Sequence, residues 1–374
     1  MQRVAYQNLG NFYGKSWRSH FLLYYCGLFS DIMPCMDFKL YTSFPDDLEA
    51  EWNTLLDQSV PHVPFLRHEY LSVWWQTRGG GEWPQATDLA LVTARQEGRL
   101  VGIAPLFYVP DHRGRPTLLP LGAIEISDYL DVVARPEDRP AFLSGLLPFL
   151  ASAPIPAWQA LDFYNVLETS STLPALEAAA KENGWNYHVE QLQHSPYIPL
   201  PGDWETYLAS IDKKQRHEIR RKMRRLEENG LPINWYVVDD NVSLDKELES
   251  FLGLMSQDAD KARFLTAAMR ETFRLTMHCA YERGCLNLAF LEIGGVKAAA
   301  YLSFDYLNRI WVYNSGIDFR FVDLSPGWVL LGYLLRWANE QHYSEFDFMR
   351  GNEEYKYRFG AVDRFVMRAT IERT

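Results

Sequence analysis

The sequence predicts an α+β protein built as two similar halves, and three observations predict it. The chain has 374 residues, which at about 150 residues per domain is about two domains. Helical and strand-like apolar periodicities alternate along it. One pattern also occurs twice: an apolar strand, a Gly turn, and an Ala/Leu-rich strand ending in an aromatic. It reads LALVTARQEGRLVGIAPLFY at 89–108 and LAFLEIGGVKAAAYLSFDY at 288–306, with one gap between them and helices ahead of each. Duplication is the economical reading, with chance likeness of two hairpins as the alternative.

The elements follow in order. A short strand (FKLYTSF) precedes a helix at 48–57. A second helix from about Leu66 carries Tyr70, Leu71, Trp74 and Trp75 at helical spacing and breaks at Gly79, Gly80 and Gly81. Residues 89–109 read as strand, turn and strand, with Pro105 at a bulge or unpaired position. ISDYLDVV (126–133) reads as a strand, 139–151 as a helix and 160–166 as a strand. ALEAAAKENG is a helix stopped by its Gly, and YHVEQL and SPYIPL close the half. The second half opens with a basic helical segment at 203–229. Helices at 245–258 and 264–283 follow, then a meander of LNLAFLEI, VKAAAYLSF and RIWVYNSG. A helix from Pro326 to Gln341, the strand EFDFM, a polar loop at 350–361 and the strand RFVMRATIE complete the chain.

Composition bounds the class. The chain is 47% apolar and 23% charged, a globular balance that excludes disorder. Its net charge of −11 argues against a surface that coats nucleic acid everywhere. Cys26, Cys35, Cys279 and Cys285 form no C-x-x-C pair and the His residues are scattered, so no metal site is expected. So few cysteines suit a reducing cytoplasm. The apolar run FLLYYCGLF (21–29) is far shorter than the roughly 20 residues a membrane span needs. Residues 1–35 are expected to lie outside the folded body, as a leader ahead of a start at Met36.

Four segments carry chemistry. Residues 213–225 hold eight basic side chains against Glu218, a net +7 that leaves −18 on the rest of the chain. Ile219, Met223 and Leu226 give this helix one packing stripe, and the Arg and Lys face suits phosphates, with a plain solvated face as the competing reading. In DLSPGW, Ser325 is a suitable N-cap, Pro326 suits the first helical position, and Gly327 leaves room for a ligand near free N–H groups. In EFDFMRGNEEYKYRFGA, the clustered Glu353, Glu354, Tyr355, Lys356, Tyr357 and Arg358 can accept or donate protons and bind anionic oxygens. In ISDYLDVV, Asp128 and Asp131 bracket an apolar run, where a carboxylate could hold an ammonium group or act as a base. No G-x-S-x-G, P-loop, H-E-x-x-H or strand-following G-x-G-x-x-G occurs, so the corresponding hydrolase, NTPase, zincin and Rossmann readings lack support.

The helix R-x-x-x-R-R-K-x-R-R-L (216–226) together with D-F-x-R-G-x-x-x-Y-K-x-R-F-G (347–360) resembles the FemAB/CelD-like branch of the GNAT acyltransferase superfamily. The resemblance implies tandem GNAT-like domains, at 36–202 and 203–374, each a mixed, mostly antiparallel sheet with flanking helices. It implies an N-acyltransferase that takes an acyl group from acyl-CoA, a co-substrate rather than a tightly bound cofactor. The acceptor it implies is a small-molecule or glycan-precursor amine, in cell-envelope or polysaccharide synthesis. FemAB relatives use aminoacyl-tRNA instead, so a tRNA-dependent peptidyl ligase is the alternative, and a non-catalytic module binding an anionic ligand is a third. The Q/R-x-x-G-x-G/A pyrophosphate loop is absent, with FVDLSPGW in its place. On this reading Ser325, Gly327, Trp328 and Tyr313 bind the donor. Asp128, Glu353 or Glu354 takes the amine proton and Tyr355 protonates the leaving group. Arg350, Lys356, Arg358, Arg216 and Asp347 bind the substrate.

Overall fold

The computed structural model describes residues 22–24, 36–59, 62–239 and 243–373. Most of the expected leader at 1–35 lies outside these residues, as do Cys26 and Cys35. The first half contains β1 (Leu22–Tyr24), β2 (Asp37–Tyr41), α1 (Glu49–Asp57), α2 (His68–Gly81), β3 (Asp88–Leu89), β4 (Leu91–Gln96), β5 (Arg99–Ala104), β6 (Leu106–His112) and β7 (Arg115–Pro120). It continues with β8 (Val133–Ala134), α3 (Arg139–Ser152), β9 (Ala160–Leu167), α4 (Thr172–Glu182), β10 (Asn186–His194) and β11 (Tyr197–Pro199). The second half contains α5 (Trp204–Ser210), α6 (Lys213–Glu227), β12 (Ile233–Val237), α7 (Leu244–Met255), α8 (Ala259–Phe264), α9 (Ala267–Glu282), β13 (Leu286–Ile293), β14 (Val296–Tyr306) and β15 (Arg309–Ile317). It ends with α10 (Pro326–Glu340), β16 (Glu345–Asp347), α11 (Glu354–Arg358) and β17 (Phe365–Glu372).

The expected mixed, mostly antiparallel sheets flanked by helices are what forms. Among the described residues the strands make three sheets, ordered β1-β2-β4-β5-β8, β10-β17-β9-β7-β6-β3 and β11-β16-β15-β14-β13-β12. Pro105 stands where the chain passes from β5 in one sheet to β6 in the next, which fits a residue with no N–H to give a ladder. Two strand pairs run parallel, β7 with β9 and β15 with β16. They occupy matching places: each follows the repeated hairpin and is bridged by one long helix, α3 or α10. The repeat read from the sequence is thus a repeat of connectivity.

The halves interlock. β11, from the first half, pairs with β16, and β17, from the end of the chain, inserts between β9 and β10. Helix α2 packs on α9, and one apolar core runs through both halves, from Trp52, Leu71 and Trp74 to Phe251, Phe273 and Phe304. Separate cores lie under α3 and α4 and under α6 and α10.

Three local expectations are corrected. The segment expected as a strand at 126–133 is irregular up to β8. The basic helical segment breaks at Ile211, because the Asp212 carboxylate accepts from the amides of Lys214 and Gln215 and starts α6 afresh. The loop expected at 350–361 contains the short helix α11. Phe346, Asp347 and Phe348 are all buried, with Tyr129 of the first half covering Asp347.

Candidate active site

The site forms where the second half's sheet opens against the first half. β15 and β16 pair only over 309–311 and 345–347, so beyond Trp311 that edge of β15 pairs with no strand among the described residues. On its other edge the register with β14 shifts between Leu302/Asn314 and Ser303/Val312. Tyr313 is the extra residue, a bulge that takes its backbone out of the ladder and turns its ring toward the first half. Gly316, further along, lets α7 lie directly on β15: a Cβ there would stand 2.5 Å from the Met255 amide nitrogen.

The first half meets this edge with residues 123–128. The segment is no strand because side chains take its carbonyls. Trp83 donates to Ala123 O at 2.6 Å, Asn165 to Ile124 O and Ser127 O at 2.9 Å each, and Arg350 to Glu125 O at 2.5 Å. Tyr70 and Tyr313 donate to Ile126 O at 3.0 and 2.9 Å. The Glu82 carboxylate accepts from the amides of Ile124 (3.0 Å) and Glu125 (3.4 Å), and burial pushes its pKa up to about 7. Asp128 projects from this frame and forms an ion pair with Arg350. Glu125, Ile126, Asp128, Gln193, Phe264, Phe273, Tyr313, Asn314 and Arg350 line an open cleft of about 260 Å³ between the halves.

Behind the cleft lies a buried polar network. Asp347 accepts from Tyr129 at 2.8 Å and from the Met349 amide at 2.7 Å, and pairs with Arg364. Burial lifts its carboxyl to about 6 in spite of Arg364. Lys356 is also buried. Its ammonium donates to the carbonyls of Phe348 (3.3 Å), Arg350 (3.0 Å) and Gly351 (3.0 Å) and lies 2.9 Å from Glu353. It therefore holds the turn that aims Arg350. Tyr355, one residue earlier, packs edge-on to Phe348, and its hydroxyl makes no hydrogen bond among the described residues. Burial raises its pKa, so the hydroxyl keeps its proton at neutral pH.

The structure gathers the sequence candidates unevenly. Asp128, Arg350 and Tyr313 share the cleft. Lys356, Asp347 and Tyr355 stand behind it, with Lys356 and Asp347 bonded to protein groups. Glu353 and Glu354 are exposed on α11, bonded to Lys356 and Arg358 respectively, so Arg358 points outward. Arg216 lies apart, donating to Leu208 O at 3.3 Å and fastening α6 to α5. Ser325 occupies the N-cap position in the left-handed region (φ 53°), and its side chain makes no cap hydrogen bond. Gly327 is close-packed: a Cβ would stand 2.9 Å from Ile317. The Trp328 ring packs on Phe359 (4.6 Å) and carries the Lys222 ammonium 4.1 Å above it.

Sequence reasoning missed Lys261 and Glu82. Lys261, on α8, donates to Ser315 O at 2.6 Å on the unpaired edge of β15, and burial lowers its pKa. Glu82 reads in sequence as an ordinary acid after a Gly run. Only the fold brings Lys261 to β15 and Glu82 to the amides of Ile124 and Glu125, and no spacing announces either.

Residues 213–357 match the family profile described as an acetyltransferase (GNAT) domain. No curated protein sequence matches the chain. Among solved structures the fold is similar to FemX, with 11% identity over 86% of this chain and 95% of that one and a TM-score of 0.62. It is also similar to a conserved protein of unknown function from Bacteroides thetaiotaomicron, with 12% identity over 89% and 100% of the two chains and a TM-score of 0.56. A third is the C-terminal domain of a putative lysylphosphatidylglycerol synthetase from Agrobacterium fabrum, with 12% identity, 87% and 91% coverage and a TM-score of 0.53. Residues 213–357 thus match the GNAT acetyltransferase domain, and the chain as a whole has a fold similar to that of FemX.

Proposed function

We propose that the protein is an N-acyltransferase that moves an acyl group from acyl-CoA to an amine held between its halves. The observation that carries this reading is β15, bulged at Tyr313 against β14 and open on its opposite edge, facing a cleft that contains Asp128 and Arg350. An extended donor chain lies along that edge, its carbonyl accepting from the backbone freed at Tyr313. Its phosphates lie toward the start of α10, where free N–H groups and the Lys222 ammonium meet them. The acceptor nitrogen attacks the thioester carbon, and its proton passes to Asp128, directly or through water. The C–S bond then breaks, and the thiolate takes its proton from Tyr355. Lys356 and Arg350 act mainly by fixing the turn and the carboxylate. The acceptor belongs, on this reading, to cell-envelope or polysaccharide synthesis in the cytoplasm.

An aminoacyl-tRNA donor is the second reading, favoured by the basic face of α6 and by the missing pyrophosphate loop. A thermal-shift panel of acyl-CoAs, charged tRNA and nucleotide sugars separates the two. A ligand at 100 times its dissociation constant stabilises by about 2.7 kcal/mol. Stabilisation by acyl-CoA is expected. Stabilisation by charged tRNA alone would replace the donor, and by nucleotide sugar alone would leave a binding module.

A further inference from the structure

The basic helix has a face that the acyl-transfer site does not use. Lys222 lies over Trp328, and Arg220 and Arg221 pair with Glu205 and Glu218. Arg224, Arg225, Lys213 and Lys214 make no ion pair among the described residues. Arg221, Arg224 and Arg225 line an open depression with Glu228, Asn229 and Leu324. Apolar side chains flank it on both sides. Leu231, two residues beyond Asn229, is 49% exposed. On the other side runs a 3-10 turn, Phe319–Leu324, packed against α6. Residues three apart eclipse in such a turn. Phe321 and Leu324 accordingly pack inward on the core, while Phe319 and Val322 face out, 47% and 55% exposed.

We propose that this face docks on an anionic phospholipid surface, with the arginines and lysines against headgroup phosphates and Phe319, Val322 and Leu231 dipping among the lipids. Charge complementarity argues for the partner: a net +7 segment on a chain of net −11 holds one face toward a negative surface and the rest away from it. The apolar flanks argue for lipid rather than nucleic acid. Aliphatic Val322 and Leu231 offer no ring for a base to stack on, whereas a basic surface with apolar side chains beside it is the composition that binds membrane interfaces. Glu228 lines the depression and Glu218 pairs with Arg221, too few acids to cancel the free cations.

Co-sedimentation of the full chain with phosphatidylcholine vesicles, with and without phosphatidylglycerol, tests this. Binding is expected only to the anionic vesicles and should weaken as salt rises. Arg224→Gln with Arg225→Gln should weaken it roughly thirtyfold, at about 1 kcal/mol per charge. Phe319→Ser with Val322→Ser should weaken it about tenfold or more. All four positions are on the surface, and an unchanged Tm certifies that each variant is folded. No binding, equal binding to both vesicles, indifference to both double substitutions, or binding of total tRNA with no vesicle binding would each overturn the proposal.

Discussion

Tyr355 and Lys356 are neighbours with opposite physical situations, so their substitutions should separate chemistry from architecture. The Tyr355 hydroxyl makes no hydrogen bond among the described residues, so Tyr355→Phe should change stability by no more than about 0.5 kcal/mol. If the hydroxyl protonates the leaving group, turnover should fall about 100-fold or more. The Lys356 ammonium satisfies three carbonyls inside the protein. Lys356→Met leaves them without a donor and should cost about 2–4 kcal/mol in urea unfolding, along with activity. Equal loss of stability in both variants would refute the distinction. The sequence made both residues visible through their Tyr-Lys cluster in a Gly-bracketed stretch. It could not show that the cation points inward, because that depends on the turn of 348–351 folding over it.

At the scale of elements, β15 is the strand on which the site depends, and α7 holds it. A side chain at 316 would collide with backbone atoms of Leu254 and Met255, which cannot give way as a flexible side chain can. Gly316→Ala should therefore cost about 2–3 kcal/mol by chemical denaturation, and a neutral result would mean that α7 moves freely. Most elements were legible because apolar periodicity and Gly or Pro punctuation are local signals: α1, α3, α4, α9, α10 and the meander β13–β15 lie close to where the pattern puts them. The segment 126–133 was misread for a physical reason. Its apolar residues are buried as a strand's would be, but Tyr70 and Tyr313 satisfy the carbonyl of Ile126 and Asn165 that of Ser127, from distant parts of the chain. The bulge at Tyr313 was equally hidden, since one extra residue in a strand leaves no mark on composition.

Over the whole molecule, the interface between the halves should respond to pH through Glu82. Burial raises its pKa to about 7, above the ordinary value near 4.5 that it regains on unfolding. The native state therefore holds this proton more tightly. The resulting stability is fully present below about pH 4.5 and is lost as pH rises through about 7. Unfolding from pH 5 to 8 should show this loss, and Glu82→Gln should flatten that part of the profile; an unchanged slope in the variant would remove Glu82 as its source. The strand exchange makes a second prediction. Residues 36–202 lack β17, the strand between β9 and β10, and residues 203–374 lack β11, the partner of β16. Neither piece should unfold cooperatively by itself, and mixing them should restore native circular dichroism. A cooperative transition in either piece alone would show that the exchanged strands are dispensable.

The sequence by itself indicated the two-half plan, most of the longer helices and strands though not β7, β12 or α8, and the stretches from which the site is built. These follow from periodicity, capping and turn chemistry, which act within about a dozen neighbouring residues. The tertiary structure decided which candidates share a cleft and which are fastened elsewhere. It also decided where β11 and β17 pair, and it set Lys261 on β15 and Glu82 on the segment at 124–125. Those outcomes depend on desolvation and on partners as much as 200 residues away, such as Arg350 with Glu125 and Ser127. No local pattern carries that information, because burial and hydrogen-bond satisfaction are settled only when distant surfaces meet.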